Sequence, residues 1–338
     1  DTAREPLHRD ATAVLGALVA APHPIRGAHP ASWWGLAEST SHGPVVPPGE
    51  PVKVSPSKVE SVMNSPLNWF VQAAGGEAAT DFARSLGTLV HSIAEEHPEA
   101  SGAEYQRVLD ERWGELEMPQ NWEGARDRER AESMLKKLAQ YNVMMSTEKR
   151  RLIGREIPFE VLIHPPGSVD VPGPGDVPGA DGPQPPADPR APRAALLRGV
   201  VDRVEADAAG NPWVVDLKTG KSQPSGKDVE HHPQLGAYQA AIINGALAGK
   251  TAEELTTVPA GASLVQLGTS TKTPREQAQP AITETDWATP MVLAAAQLMG
   301  DADFLSRHDP ARGGRSGSNC RLPGICPLCS EGRQVTEP

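Results

Sequence analysis

The chain has 338 residues, of which 32 are Gly and 34 are Pro, and only 4% are aromatic. A load of that size in the two punctuating residues implies much loop and one core of roughly 200 residues, although length alone allows two domains. Acidic residues outnumber basic ones by 43 to 32, a net charge of −11, which argues against a protein that coats nucleic acid through a broad positive field. No apolar run approaches the ~20 residues of a membrane span, the longest being Ala13–Pro22. The start DTAREPLHRD has neither a Met nor a basic-then-apolar leader, so it reads as a fragment of a cytoplasmic protein without a signal peptide.

Residues 1–54 read as a connector from a preceding region, with one helix over Ala11–Ala21 and an extended stretch GPVVPPGEPVKV. At Ser55 the phrase SPSKVE announces a helix start. Glu60 stands three residues after Ser57, the capping-box spacing, and Val59, Val62, Met63, Leu67 and Phe70 follow at helical intervals. A second helix is expected over Asp81–Glu96, and a long charged one over Ala103–Lys149, broken at Pro119. Glu156–Ile163, Leu196–Ala206 and Trp213–Leu217 then read as strands. The first two are separated by residues 165–192, which hold 10 prolines and read as a flexible insert in a hairpin. DAAGNP (Asp207–Pro212) is a turn between the second and third strands. A helix over Val229–Leu247, a strand over Ala262–Leu267 and a helix over Thr285–Leu298 complete an α/β core with a mixed central sheet flanked by helices.

The chemistry concentrates in GVVDRVEADAAGNPWVVDLKTGK (Gly199–Lys221). It places Asp202 on one strand and Asp216 with Lys218 on the next, the last two on one face because side chains alternate along a strand. Two carboxylates converging from neighbouring strands are hard oxygen ligands suited to Mg²⁺ or Mn²⁺, and a lysine beside them suits a water or a phosphate. A surface hairpin with solvated Asp and Lys is the commoner source of a D-x-K group taken alone. Upstream, GTLVH sets Gly87 one helical turn before His91; downstream, Gln234 and Tyr238 of QLGAY share a helix face.

In order, G-x-x-x-H, G-x-x-D-R, D-x-K-T-G and Q-x-x-x-Y resemble the motifs of the PD-(D/E)XK nuclease superfamily, in its RecB-type branch, over about residues 55–338. HPASWWGLAE, VSPSKVE and CPLCSEGRQVTEP further resemble the C-terminal nuclease module of the actinobacterial AdnAB helicase–nucleases, nearer the B-type subunit. In those proteins a motor domain precedes the nuclease, and the sequence contains no G-x-x-x-x-G-K-[ST] loop.

The resemblance implies a restriction-endonuclease-like core and metal-dependent, exonuclease-type hydrolysis of single-stranded DNA fed by a motor that resects double-strand breaks. The implied partner is the other subunit of a heterodimer. Residue by residue, His91, Asp202 and Asp216 would hold Mg²⁺ or Mn²⁺ together with the Leu217 carbonyl, Lys218 would orient water and stabilise the phosphorane charge, and Gln234 and Tyr238 would position the DNA backbone or the lysine. Glu160 is a further acidic candidate with Glu156 as its competitor, a structural role being the simpler reading of both. Arg203 would buttress Asp202, and Ser55 and Ser57 would grip a phosphate or simply cap. A four-cysteine [4Fe–4S] staple is also implied. Cys320, Cys326 and Cys329 are present in the tail 309–338, but Ser65 stands where the first cysteine is expected. Free thiols, a disulfide and zinc with a non-cysteine ligand remain open. The alternatives for the whole are a catalytically silent nuclease-fold module for DNA channelling or subunit docking, and a hydrolase of small phosphoesters.

Overall fold

The computed structural model describes residues 4–23, 25, 28–29, 43–75, 81–116, 121–167, 191–251, 253–283 and 285–305. The expected cysteine site at Cys320, Cys326 and Cys329 and most of the proline-rich insert lie outside the described residues. Helix α1 (Arg4–Val19) precedes β1 (Val52–Val54), α2 (Pro56–Asn64), α3 (Pro66–Ala73), α4 (Asp81–Glu96) and α5 (Gly102–Arg112). A 3₁₀ turn over Trp113–Leu116 and α6 (Trp122–Thr147) follow. Then come β2 (Arg151–Ile163), β3 (Ala195–Ala206), β4 (Pro212–Lys218), α7 (Gly226–Glu230), α8 (Pro233–Ile243), β5 (Gly261–Gln266), β6 (Arg275–Pro280) and α9 (Ala288–Gly300).

Among the described residues, six strands form one mixed sheet. Its order is β1-β3-β4-β5-β6, with β2 on the other edge of β3. β3 is the hub. One edge runs antiparallel to β2 over almost its whole length, while the other is divided between β1, parallel at Ala195–Leu197, and β4, antiparallel at Arg203–Ala206. Between these two partners Arg198–Asp202 have no ladder neighbour on that edge, and there the sheet forks.

Each face of the sheet carries its own core. Val54, Val59, Leu197, Val214, Leu235 and Val292 pack α2, α8 and α9 on one side. Leu89, Ile93, Leu109, Leu138, Val215 and Leu217 pack α4, α5 and α6 on the other. Val214 and Val215 thus feed opposite cores, as the two-residue period of a strand requires. Among the described residues, no helix is long and apolar enough to cross a membrane.

Several expected elements are divided or displaced. The helix opening at Ser55 stops at Asn64 and restarts as α3, because Ser65 takes an extended conformation before Pro66 and its hydroxyl accepts the Asn68 amide at 3.4 Å. Ser65, where the resemblance expects a cysteine, is buried and serves as a helix cap. The expected capping box is not formed. Ser55 is the N-cap and makes no side-chain cap, and Glu60 faces His232 at 3.6 Å. The helix expected from Val229 is broken at His231–His232, where Pro233 opens α8. The short β1 falls within what reads as connector, and β6 is absent from the expected set. Its sequence REQAQP shows no apolar alternation, yet Gln277 and Gln279 are buried, donating to the Pro224, Val229 and His232 carbonyls.

Candidate active site

The site forms at the fork. The β3–β4 ladder ends at Arg203↔Val215, and continuing its register would set Asp202 opposite Asp216. Instead the strands part, and the Leu217 amide donates to Asp202 Oδ2 at 2.9 Å. From α4, His91 brings Nδ1 to 3.6 Å from the same oxygen. Gly87, one turn earlier, lies against Thr219, where a Cβ would sit 2.8 Å from the threonine hydroxyl, so glycine lets α4 approach the end of β4.

The third member comes from β2. Glu156 adopts φ +43°, a left-handed conformation that a residue other than glycine holds at a cost. The β2–β3 ladder pairs Arg155 with Arg203 and Ile157 with Val201 but skips Glu156 and Asp202 between them. Ligand atoms of His91, Glu156 and Asp202 all lie within 4.8 Å of one another. Glu160, the acidic residue favoured on this strand by the sequence, is instead exposed and lies opposite Arg198, far along the hairpin from the cage. The long insert left the β2–β3 register unreadable, so nothing in the sequence could select Glu156 over Glu160.

Asp216 is turned towards α8. Its Oδ1 accepts from Gln234 Nε2 at 2.6 Å and from the Tyr238 hydroxyl at 3.3 Å, and Lys218 Nζ lies 2.8 Å from its Oδ2. Lys218 also donates to Gln234 Oε1 at 2.7 Å, so one amide ties lysine and aspartate together. His91, Asp202, Asp216, Lys218, Gln234 and Tyr238 from the four motifs therefore meet at the fork. His91, Asp202 and Glu156 form one cluster, and Asp216, Lys218, Gln234 and Tyr238 form the neighbouring one.

Arg203, beside Asp202 in sequence, points into the core of α4, α5 and α6, against Met145 and the Tyr141 ring. It is buried, donates to Glu205 Oε1 at 2.8 Å and to the Pro98 carbonyl at 2.9 Å, and stays away from solvent. The Ser55 and Ser57 hydroxyls lie 3.4 Å from each other.

The electrostatics of the cage fit a cation. Burial, reinforced by the nearby Asp216 carboxylate, pushes Asp202 up to about 8, against the pull of the Leu217 amide. Burial pushes Glu156 up and His91 down, leaving the imidazole neutral, the form in which it can ligate. Lys218 is engaged by Asp216, and one nitrogen with two hard carboxylates is a donor set for Mg²⁺ or Mn²⁺. Tyr238 is driven far above its ordinary value by burial and by Asp216, so it remains a hydroxyl donor.

A mixed sheet split at an acidic fork with a lysine two residues on defines a nuclease-type α/β fold. The family model of the PD-(D/E)XK nuclease superfamily matches residues 53–327, and the chain belongs to that superfamily. None of the curated proteins compared matches the chain. Among solved structures, the one titled "Crystal structure of SSO0001" is similar at 12% identity and a TM-score of 0.34, covering 85% of this chain and 89% of that one.

Proposed function

We propose that the protein is a divalent-metal-dependent deoxyribonuclease that hydrolyses phosphodiesters in single-stranded DNA. The observation that carries this reading is the juxtaposition of the His91–Glu156–Asp202 cage with the Asp216–Lys218–Gln234 cluster at one fork of the sheet. His91, Glu156 and Asp202 hold the ion, joined by Asp216 and the Leu217 carbonyl. Mg²⁺ or Mn²⁺ bound there supplies Lewis acidity to the phosphate and lowers the pKa of water. Lys218 places a fixed positive charge where the pentavalent phosphorus accumulates negative charge. Gln234 and Tyr238 hold Asp216 and Lys218 in register, so little reorganisation is needed as charge develops.

The proposal extends to context. The motif order and the flanking phrases HPASWWGLAE and CPLCSEGRQVTEP favour an exonuclease-type module of a two-subunit helicase–nuclease that resects double-strand breaks, receiving its strand from a motor. The net charge of −11 agrees with a domain to which DNA is delivered.

The test is cleavage of an end-labelled single-stranded oligonucleotide with Mn²⁺ or Mg²⁺, beside Asp202→Ala and Asp216→Ala. Cutting by the parent chain, stopped by chelation and by either substitution, is expected. Cutting that survives both substitutions sinks the assignment.

A further inference from the structure

On α6 an indole and two guanidinium groups recur one helical turn apart, at Trp122, Arg126 and Arg130. Trp122 is 69% exposed, and among the described residues it is the one aromatic side chain in the exposed class. The Arg126 guanidinium carbon lies 5.3 Å from the centroid of its ring. With Arg126 over one face, that degree of exposure leaves the other face open to solvent.

The arginines are equally telling. On the same pair of helices Arg107, Arg112 and Arg128 each hold a carboxylate. Among the described residues, Arg126 and Arg130 have no carboxylate partner. Arg130 reaches inward, donating Nη2 to the carbonyl of Thr219 at 2.9 Å, and its Nε is buried with no partner among the described residues. Thr219 directly follows Lys218 and is the residue against which Gly87 packs, one turn before His91. The stripe therefore ends at the fork. Eight residues of helix span about 12 Å, enough for a few nucleotides.

We propose that this stripe is a track for single-stranded DNA leading to the site, and the proposal rests on the nuclease reading above. An unpaired base stacks on the free face of Trp122, the adjoining phosphate takes Arg126, and Arg130 fastens the inner end of the track to the segment that follows Lys218. Stacking of that kind tolerates any base, as a nuclease without sequence preference requires. A duplex cannot use it, because its bases are already stacked inside. Asp127 and Glu129 lie between the arginines, so the face has no broad positive field for duplex to follow.

The experiment is fluorescence anisotropy of a labelled oligothymidylate with the full chain, without added metal, alongside Trp122→Ala, Trp122→Phe and Arg126→Gln. Trp122→Ala is expected to weaken binding about tenfold or more, and Trp122→Phe to restore most of it. Arg126→Gln should weaken binding and lower the slope of log K against log salt by about 0.7. An exposed ring contributes little to the fold, so melting temperatures should not move. Unchanged affinity in Trp122→Ala, or no binding by the parent chain, overturns the track. Metal-dependent cutting with Trp122-independent binding leaves the nuclease reading standing and removes the track. Trp122-dependent binding without metal-dependent cutting does the reverse.

Discussion

Asp202 Oδ2 accepts the backbone amide of Leu217 at 2.9 Å, so a carboxylate fills the position a strand carbonyl would occupy if the β3–β4 ladder continued. The fork and the candidate metal cage are thereby one feature: the strands separate at the aspartate that belongs to the cage. Asp202→Asn keeps an acceptor for Leu217 but removes the charge. Mn²⁺ is expected to raise the melting temperature of the parent chain through binding to the folded state, and to leave that of Asp202→Asn unmoved. Calorimetric scans with and without the ion check this. An equal rise in both proteins would place the ion elsewhere.

Glu156 and Glu160 provide an internal control on one strand. Glu156 belongs to the cage and Glu160 is exposed opposite Arg198. Glu156→Gln should weaken Mn²⁺ binding at least tenfold by titration calorimetry, while Glu160→Gln leaves it within a factor of two. The reverse ranking would show that the left-handed kink at Glu156 has a different cause.

Much of this site is legible in the sequence because its chemistry is local. Asp216, Leu217 and Lys218 are consecutive, Gln234 and Tyr238 are one helical turn apart, and Gly87 precedes His91 by one turn, so spacing alone sets each group on a face. Glu156 was not legible. Its place depends on a register fixed across the insert and on a positive φ that no propensity indicates. β6 escaped because its inward residues are glutamines, whose burial depends on carbonyl acceptors supplied by α7 and the segment before it. Ser55–Phe70 reads as one helix from its periodicity, and only the extended Ser65 before Pro66 divides it.

Lys218 and the cage should separate by their dependence on metal. Lys218 Nζ contacts Asp216 and Gln234 and is not a cage member. Lys218→Met is therefore expected to lower the cleavage rate by about 10²–10³ while keeping the Mn²⁺-dependent rise in melting temperature. Gln234→Leu, which frees both Lys218 and Asp216 from their shared amide, should fall between that variant and the parent. Loss of the metal-dependent rise in Lys218→Met would show that the lysine holds the cage rather than the substrate.

His232 predicts an acid limb to stability. It is buried, its Nδ1 has no hydrogen-bond partner among the described residues, and its Nε2 lies 3.6 Å from Glu60, with Lys218, Asp216 and Asp228 contributing to its field. Burial is the largest influence and lowers its pKa, so the unfolded chain binds the proton more readily than the folded one. The stability this contributes is complete above the unfolded value of 6.5 and is lost as pH falls below it through the folded value. His91 is shifted in the same direction. Asp202 and Glu156, raised by burial, act in the opposite direction and are common to both proteins, so the parent chain should lose more melting temperature between pH 7 and 5, or gain less, than a His232→Gln chain. A variant with an undiminished slope would exclude His232 from the limb.

Gly268 sits where the loop after β5 meets the residue following Lys218. The Leu267 and Gly268 amides both donate to the Lys218 carbonyl, at 2.9 and 3.1 Å. A Cβ on Gly268 would lie 2.0 Å from the Thr219 carbonyl oxygen and 2.4 Å from that of Gly220. The obstacle is backbone and cannot rotate aside, unlike the Thr219 hydroxyl that faces Gly87. Lys137 tightens the same loop from beneath, where its buried ammonium donates to the Leu267 carbonyl at 2.7 Å and to that of Thr269 at 2.5 Å. Gly268→Ala is therefore expected to cost about 3 kcal/mol or more in urea unfolding, and to lower cleavage further than stability alone explains by displacing Lys218. Gly87→Ala, which meets only a side chain, should cost less on both measures. Equal costs would mean that the loop yields as readily as a threonine rotamer.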